Sequence, residues 1–265
     1  RMKPGKRPKR KTKMNLKLTN EDKEEFHKSC KKVLENERVR LGIGTLSEKT
    51  VHAVLKRYLV PDENCHEIKC GRYVADILCD GEIMEIQTAG FNRLRGKLEE
   101  FLKDKDVTVV YPIPHIKWLI WIDDKTGEFS EKRRSPKKGS YYDAFYELYK
   151  IKMFLKHPNL HFRLILLDVE EYRLLNGYSA DRKRGSERYD RIPVELVEDK
   201  FLNSAHDFKE LVPAELCEPF TTKMFQKATK LSPKKAGAAV NVLAYLNVIK
   251  QVGKEKNAYL YERNF

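Results

Sequence analysis

The sequence predicts an α/β fold in which a mixed central sheet is flanked by helices, followed by a smaller C-terminal unit. Apolar residues recur at helical spacing near the N-terminus, and β-rich runs then alternate with helical segments. Near Pro213 the pattern changes to two short helices and a hairpin. Alternating strands and helices imply a sheet covered on both faces. We expect a basic tail and first helix over 1–40, the α/β domain over 41–212, and the C-terminal unit over 213–265.

Helical spacing and turn residues predict the individual elements. A first helix spans 19–39, and a second helix starts at Thr45 or Ser47 and ends before Pro61. The period then changes, and the strands are expected at 66–69, 73–79, 82–88, 107–113, 117–122 and 162–168. Helices are expected at 91–103 and 142–155, and basic loops at 132–138 and 182–191.

The composition describes a globular and strongly basic chain. Of its 265 residues, 41% are hydrophobic and 35% are charged, and the net charge is +14. Eight positive charges lie in residues 1–13, which form either a solubilising tail or a nucleic-acid-binding arm. A basic surface favours a polyanionic partner, because contacts with phosphates release counterions. We expect that partner to be DNA.

Cysteine content and hydropathy predict a cytoplasmic protein without a membrane partner. Five cysteines with no C-x-x-C pair argue against a disulfide framework and against a four-ligand zinc site. Apolar runs stay well short of the ~18 residues that a membrane span requires.

The dipeptide Asp80-Gly81 between two β-rich runs predicts a two-residue hairpin turn of type I′. This turn fixes the register and pairs Asp76 with Glu85, so that two carboxylates face each other. Like charges at such positions are destabilising unless a cation lies between them. Gln87 lies on the same strand face as Glu85. We interpret the three residues as a metal site, and the alternative is a solvated sheet edge where they form local hydrogen bonds.

Glu48 has two compatible interpretations. The segment Thr45-Leu46-Ser47-Glu48 fits a capping box, in which the glutamate caps the start of its own helix. Glu48 also heads the helical stripe of Val51 and Leu55, from which it can point at the same cation.

Residues 45–122 resemble the PD-(D/E)XK nuclease superfamily. The resemblance lies in the order of a helix with Glu48, then Asp76, then Glu85-Ile86-Gln87 on a strand, and then a basic helix. The resemblance implies a restriction-endonuclease-like core that hydrolyses DNA phosphodiester bonds. It also implies that Asp76, Glu85 and the carbonyl of Ile86 hold Mg²⁺, with Mn²⁺ as a substitute and Glu48 as a further ligand.

Gln87 departs from the lysine that the superfamily usually has at this position. Some restriction endonucleases are similar in having Glu-x-Gln, so Gln87 itself is one candidate for orienting the attacking water. Lys97, Arg95 and Arg93 on the next helix are the alternatives, and the spacing does not choose among them.

The C-terminal unit resembles a winged helix-turn-helix over 213–263. A short basic helix at 221–230 precedes Ser232-Pro233, which is an N-cap followed by a proline at the first helical position. The helix 234–246 and a hairpin formed by 248–252 and 258–261 complete the pattern. Such units bind DNA or dock proteins. The residues expected to bind DNA are Lys132, Arg133, Arg134, Lys137, Lys138, Lys234, Lys235 and Asn241.

The sequence therefore predicts a Mg²⁺-dependent DNA endonuclease that works alone, as a homodimer or with a partner protein. One alternative is a non-catalytic DNA-binding regulator built on a degenerate nuclease core. Another is the cleavage subunit of a transposition, restriction or phage-defence complex. The facing acids favour an enzyme, because an inactive site has no need to keep them.

Overall fold

The computed structural model describes residues 18–40, 50–177 and 185–265, with the backbone alone for 36–40. Its helices are α1 (Asn20–Arg40), α2 (Thr50–Leu59), α3 (Arg95–Phe101), α4 (Phe145–Leu148), α5 (Thr222–Thr229) and α6 (Pro233–Tyr245). Its strands are β1 (His66–Cys70), β2 (Tyr73–Cys79), β3 (Glu82–Ile86), β4 (Asp106–Asp123), β5 (Arg133–Arg134), β6 (Leu160–Leu175), β7 (Glu187–Leu202), β8 (Phe220–Thr221), β9 (Ile249–Glu255) and β10 (Ala258–Arg263). Short 3₁₀ segments lie at Glu63–Cys65, Phe91–Leu94, Tyr141–Ala144, Tyr149–Phe154 and Ala205–Leu211.

The central sheet is mixed, in the order β1-β2-β3-β4-β6-β7, with β5 paired to β4. Strands β1, β2 and β3 form an antiparallel meander, β3, β4 and β6 are parallel, and β7 returns antiparallel to β6. Helices α1 and α2 cover one face, where Phe26 and Val54 pack on Ile86. Phe91 and Phe145 pack on the other face together with α3 and α4. These layers confirm the predicted α/β class.

The predicted elements need four corrections. The expected strands 107–113 and 117–122 are one strand, β4, whose register shifts between Pro114 and Lys117. The expected helix 142–155 consists of α4 between two 3₁₀ segments. Strand β7 was not predicted, and it includes the second half of the expected basic loop 182–191. As a sheet-edge strand with many charged residues, β7 lacks the apolar alternation that identifies half-buried strands. Within the expected loop 132–138, Arg133–Arg134 form the short strand β5.

The central strands extend far beyond the end of β3. Val110 of β4 is level with Ile86, the last residue of β3, and β4 continues from there to Asp123. At about 3.3 Å per residue this extension is about 40 Å long. Strands β6 and β7 accompany it, and the basic segment 132–138 folds along it, since Ser135 N–H donates to Lys117 O at 2.8 Å.

The C-terminal unit contains an antiparallel sheet of order β8-β10-β9, with α5 and α6 packed against it. The expected boundary near Pro213 marks a change of pattern along the chain, but it does not interrupt the core. Val109 and Phe162 of the central sheet belong to the same hydrophobic cluster as Phe225 and Leu243 of the C-terminal unit. None of the helices in the described part of the chain has the length and apolarity that crossing a membrane requires.

Candidate active site

The β2–β3 hairpin forms around the turn that the sequence predicts. Asp80 and Gly81 both have positive φ, at 51° and 81°, as a type I′ turn requires. The ladder pairs Cys79 with Glu82 and Leu78 with Ile83, which confirms the predicted register.

The two strands separate at the next rung, where Asp76 and Glu85 lie. The last paired residues of the ladder are Ile77 and Met84. Beyond them, each carboxylate reaches the backbone of the other strand. Ile86 N–H donates to Asp76 Oδ2 at 2.7 Å, and Asp76 N–H donates to Glu85 Oε1 at 3.3 Å. The carboxylates of Asp76 and Glu85 therefore lie in a gap between the two strands. They do not form the directly opposed pair of a regular ladder, which the predicted register implies.

Glu85 is buried, with 2% of its side chain exposed, and its charge is balanced by a lysine. Lys97 Nζ on α3 lies 2.7 Å from Glu85 Oε2. Burial raises the pKa of Glu85 to about 7, and the negative charge of Asp76 acts in the same direction, whereas Lys97 opposes both. Glu85 thus changes its protonation state near neutral pH when no cation is bound.

Asp76 has the opposite electrostatic balance. Burial raises the pKa of Asp76. The hydrogen bond with His52, whose Nε2 lies 3.1 Å from Asp76 Oδ2, lowers it, and so do Ile86 N–H and Lys97. These three groups together outweigh burial. The pKa of Asp76 is consequently below its usual value. Two neighbouring carboxylates with separated pKa values are typical of functional sites.

The sequence left four candidates for the residue that orients the attacking water. Of these, Lys97 is the one whose side chain contacts a carboxylate, that of Glu85. Gln87 follows the end of β3, and its side-chain amide donates to the carbonyl of Ala89. Arg95 Nε donates to the carbonyl of Lys150 at 2.9 Å, and Arg93 is exposed to solvent.

The donor set around Asp76 and Glu85 fits a hard divalent cation. Gln87 N–H donates to Val110 O on β4, so the preceding residue, Ile86, directs its N–H and carbonyl to the other side, towards Asp76. Two carboxylates and one carbonyl suit Mg²⁺, which keeps several waters and binds few protein groups. The described residues contain no group of three or more His, Cys, Asp or Glu side chains arranged for a metal. Glu48, the expected further ligand, lies outside the described residues.

His52 is the contact that sequence reasoning missed. It lies on α2 between the apolar residues Val51 and Val54, and four positions after Glu48. Residues four positions apart share a face of a predicted helix, so its spacing from Glu48 in the sequence was the available signal.

A small cavity lies beyond the end of β3, against the middle of β4. It is lined by Val51, Thr88, Pro112, Asp190 and two arginines, and its volume of about 20 Å³ suits a single water molecule. Asp190 is buried and accepts a hydrogen bond from the Thr50 hydroxyl through Oδ2. Its Oδ1 has no partner among the described residues, so a bound water would satisfy it.

The expected DNA-binding residues fall into two groups. Arg133, Arg134, Lys137 and Lys138 are exposed along the β4 extension, where Lys132 is paired with Glu170 at 2.5 Å.

The residues on α6 instead contact the α/β domain. Lys235 pairs with Asp143, Lys234 lies 5.3 Å above the Tyr146 ring, and Asn241 accepts a hydrogen bond from Lys152 at 2.9 Å. These side chains remain accessible, since Lys234 and Asn241 are exposed, although α6 also packs on α4 and the segment Tyr149–Phe154.

Comparison with known proteins places this site inside a defined family. Residues 49–203 match the family described as "Domain of unknown function (DUF8091)". The chain belongs to this family. The DUF8091 match includes His52, Asp76, Glu85 and Lys97, and it ends before the C-terminal unit. A protein of Treponema pallidum (strain Nichols), described as an uncharacterized protein, is 28% identical over 187 residues, which cover 69% of this chain and 70% of the relative. No solved structure matches the chain.

Proposed function

We propose that this DUF8091 protein is a Mg²⁺-dependent endonuclease of the PD-(D/E)XK kind that hydrolyses DNA phosphodiester bonds. The observation that carries the proposal is the Asp76–Glu85 pair, which meets Lys97 where β2 and β3 separate. Burying two carboxylates side by side costs free energy unless a positive charge compensates them. A divalent cation bound between Asp76 and Glu85 supplies that charge, and it fits both the donor set and the gap between the strands.

Each residue then has a defined role. Asp76, Glu85 and the Ile86 carbonyl would hold Mg²⁺, which when bound lowers the pKa of its water and offsets negative charge in the transition state. Lys97 supplies an ammonium beside the scissile phosphate, where it donates hydrogen bonds to the water or to a phosphate oxygen. His52 is a positioning residue, because its hydrogen bond orients Asp76.

The proposed DNA path uses the basic β4 extension. The exposed Arg133, Arg134, Lys137 and Lys138 lie on it, and such side chains position a phosphate backbone without reading its sequence. We further propose that the C-terminal unit is a winged helix, supported by two helices packed on a sheet of order β8-β10-β9. Its hairpin β9–β10 carries the exposed Lys250, Lys254 and Lys256. A cytoplasmic location fits this proposal.

A non-catalytic DNA-binding regulator is the second candidate. The observation that favours it is that each carboxylate has a nitrogen partner within the protein, since His52 contacts Asp76 and Lys97 contacts Glu85.

Cleavage assays separate the two candidates. Supercoiled plasmid, linear duplex and single-stranded DNA are incubated with Mg²⁺, Mn²⁺ or EDTA. We expect metal-dependent cleavage that is absent from Asp76→Asn and about 10²-fold slower in Lys97→Ala, the effect of losing one transition-state donor. Lys103→Ala is the matched control, because Lys103 is 68% exposed and pairs with Glu100 close to α3. DNA binding without cleavage of any form supports the regulator, and full activity of folded Asp76→Asn contradicts the site.

A further inference from the structure

Lysines alternate with tyrosines on the surface that α4, the segment Tyr149–Phe154 and α6 form together. We call this surface the Lys/Tyr strip; it consists of Tyr146, Tyr149, Lys150, Lys152, Lys156 and Tyr245. The Nζ of Lys150 lies 4.8 Å from the centroid of the Tyr146 ring, and that of Lys156 lies 4.6 Å from the Tyr245 ring. Lys152 lies 5.5 Å from the Tyr149 ring and 5.2 Å from the Tyr245 ring.

The packing of α6 leaves part of the Lys/Tyr strip exposed to solvent. Tyr149 is 45% exposed, and Met153, four residues further on, is 55% exposed. Both remain in solvent although α6 packs beside them. Lys152 covers part of the Tyr149 ring, but the rest of this side chain is exposed to solvent. The exposed part of the ring is available to stack on a flat ligand.

The strip has a net positive charge from Lys152 and Lys156, because the neighbouring acids are paired with other lysines. Glu147 is buried and accepts hydrogen bonds from Phe91 N–H at 2.9 Å and from Lys150 Nζ at 2.6 Å. Asp143 is paired with Lys235.

The strip begins next to the candidate active site. Arg95 donates to the carbonyl of Lys150, and Lys97, two residues later on the same helix, contacts Glu85. Residues two positions apart on a helix point to different sides, so α3 lies between the strip and the site and contacts both.

We infer that the Lys/Tyr strip binds single-stranded DNA and leads it to the Asp76–Glu85 site; this inference rests on the proposed function. Tyrosine rings stack on base faces and lysines neutralise phosphates, which is how proteins bind single strands without sequence preference. A duplex hides its base faces, so exposed rings contribute little to it. The helix that would enter a major groove, α6, is packed against α4 and the segment Tyr149–Phe154.

Binding in EDTA tests the inference, because no cleavage is required. Fluorescence anisotropy of labelled oligothymidine is compared with a duplex and with oligouridine of equal length. We expect the oligothymidine to bind most tightly. Tyr149→Ala should weaken this binding at least about fivefold, the lower end for one base stacked on an aromatic side chain. Lys156→Ala should weaken it and reduce the salt slope by about 0.7.

Matched variants control for loss of an exposed ring or charge. Phe265→Ala removes a ring that is 57% exposed at the end of the C-terminal unit, and Lys31→Ala removes a lysine that is 78% exposed on α1, which covers the opposite face of the sheet. Neither should alter single-strand affinity. Thermal melts verify that all variants fold, as expected for exposed positions.

Two results would overturn the inference. One is tighter binding to the duplex or to oligouridine than to oligothymidine. The other is unchanged single-strand affinity of Tyr149→Ala, above all if Lys254→Ala on the β9–β10 hairpin lowers it instead. The outcomes for the proposed function remain separate. Strip-dependent binding without cleavage of any substrate refutes the nuclease alone, whereas cleavage by the wild type together with unchanged single-strand affinity of Tyr149→Ala refutes the strip alone.

Discussion

Replacing Lys97 by methionine tests whether its ammonium stabilises the buried Glu85 carboxylate. Glu85 is 2% exposed and Lys97 is 25% exposed, with 2.7 Å between Nζ and Oε2. Removing one partner of a buried ion pair costs about 3–5 kcal/mol, and the partial exposure of Lys97 places the expected loss near about 3 kcal/mol at pH 8. At pH 6 the loss should be smaller. Without Lys97 the pKa of Glu85 rises further above about 7, so the side chain becomes neutral there and needs no partner.

Urea unfolding in EDTA at pH 6 and pH 8 measures this loss. Lys103→Met removes the exposed pair with Glu100 and should cost no more than about 1 kcal/mol. In a Glu85→Gln background the cost of Lys97→Met should largely disappear, because no buried charge remains. An equal loss at both pH values, or the same loss in the Glu85→Gln background, would refute the assigned ion pair.

Three further predictions follow from the same geometry. Metal-free stability should fall as pH rises from about 4.5 to about 7, since folded Glu85 holds its proton more tightly than the unfolded chain; urea unfolding of Glu85→Gln should lack this component. His52→Leu should raise the pKa of Asp76, which an NMR titration of its carboxyl carbon in the metal-free protein measures, and an unshifted pKa contradicts the contact. Deleting 213–265 should abolish cooperative unfolding, because it removes part of the shared core; a sharp transition by circular dichroism argues otherwise.

The sequence was most informative where the interactions are local. The Asp80-Gly81 turn fixes its own register, so the neighbourhood of Asp76 and Glu85 follows from a few consecutive residues. The separation of the strands at that rung was not predictable. It depends on side chains bonding to the backbone of the opposite strand, and a pairing rule does not include such bonds.

The sequence patterns did not predict contacts between elements that are distant along the chain. Lys97, Arg95 and Arg93 lie within one helical turn or so, and only the packing of α3 on the sheet determines which of them reaches Glu85. Strand β7 was missed because its charged residues resemble a solvated loop. The contacts of α6 were not predictable for a related reason. Its lysines indicate an exposed face, and Lys234 is exposed, but the sequence does not show that Asp143 and Tyr146 lie beside them.

The packing of α6 limits how the C-terminal unit can contact DNA. Lys234 and Asn241 are exposed on α6, so this side of the helix is accessible next to α4. A duplex that contacts it has to replace the Lys152–Asn241 hydrogen bond and the contact of Lys234 with the Tyr146 ring. Counterion release from a few phosphates must then offset these losses. The exposed lysines of α5 and of the β9–β10 hairpin require no such exchange. We therefore expect these lysines to contact a duplex, while the proposed Lys/Tyr strip receives a single strand.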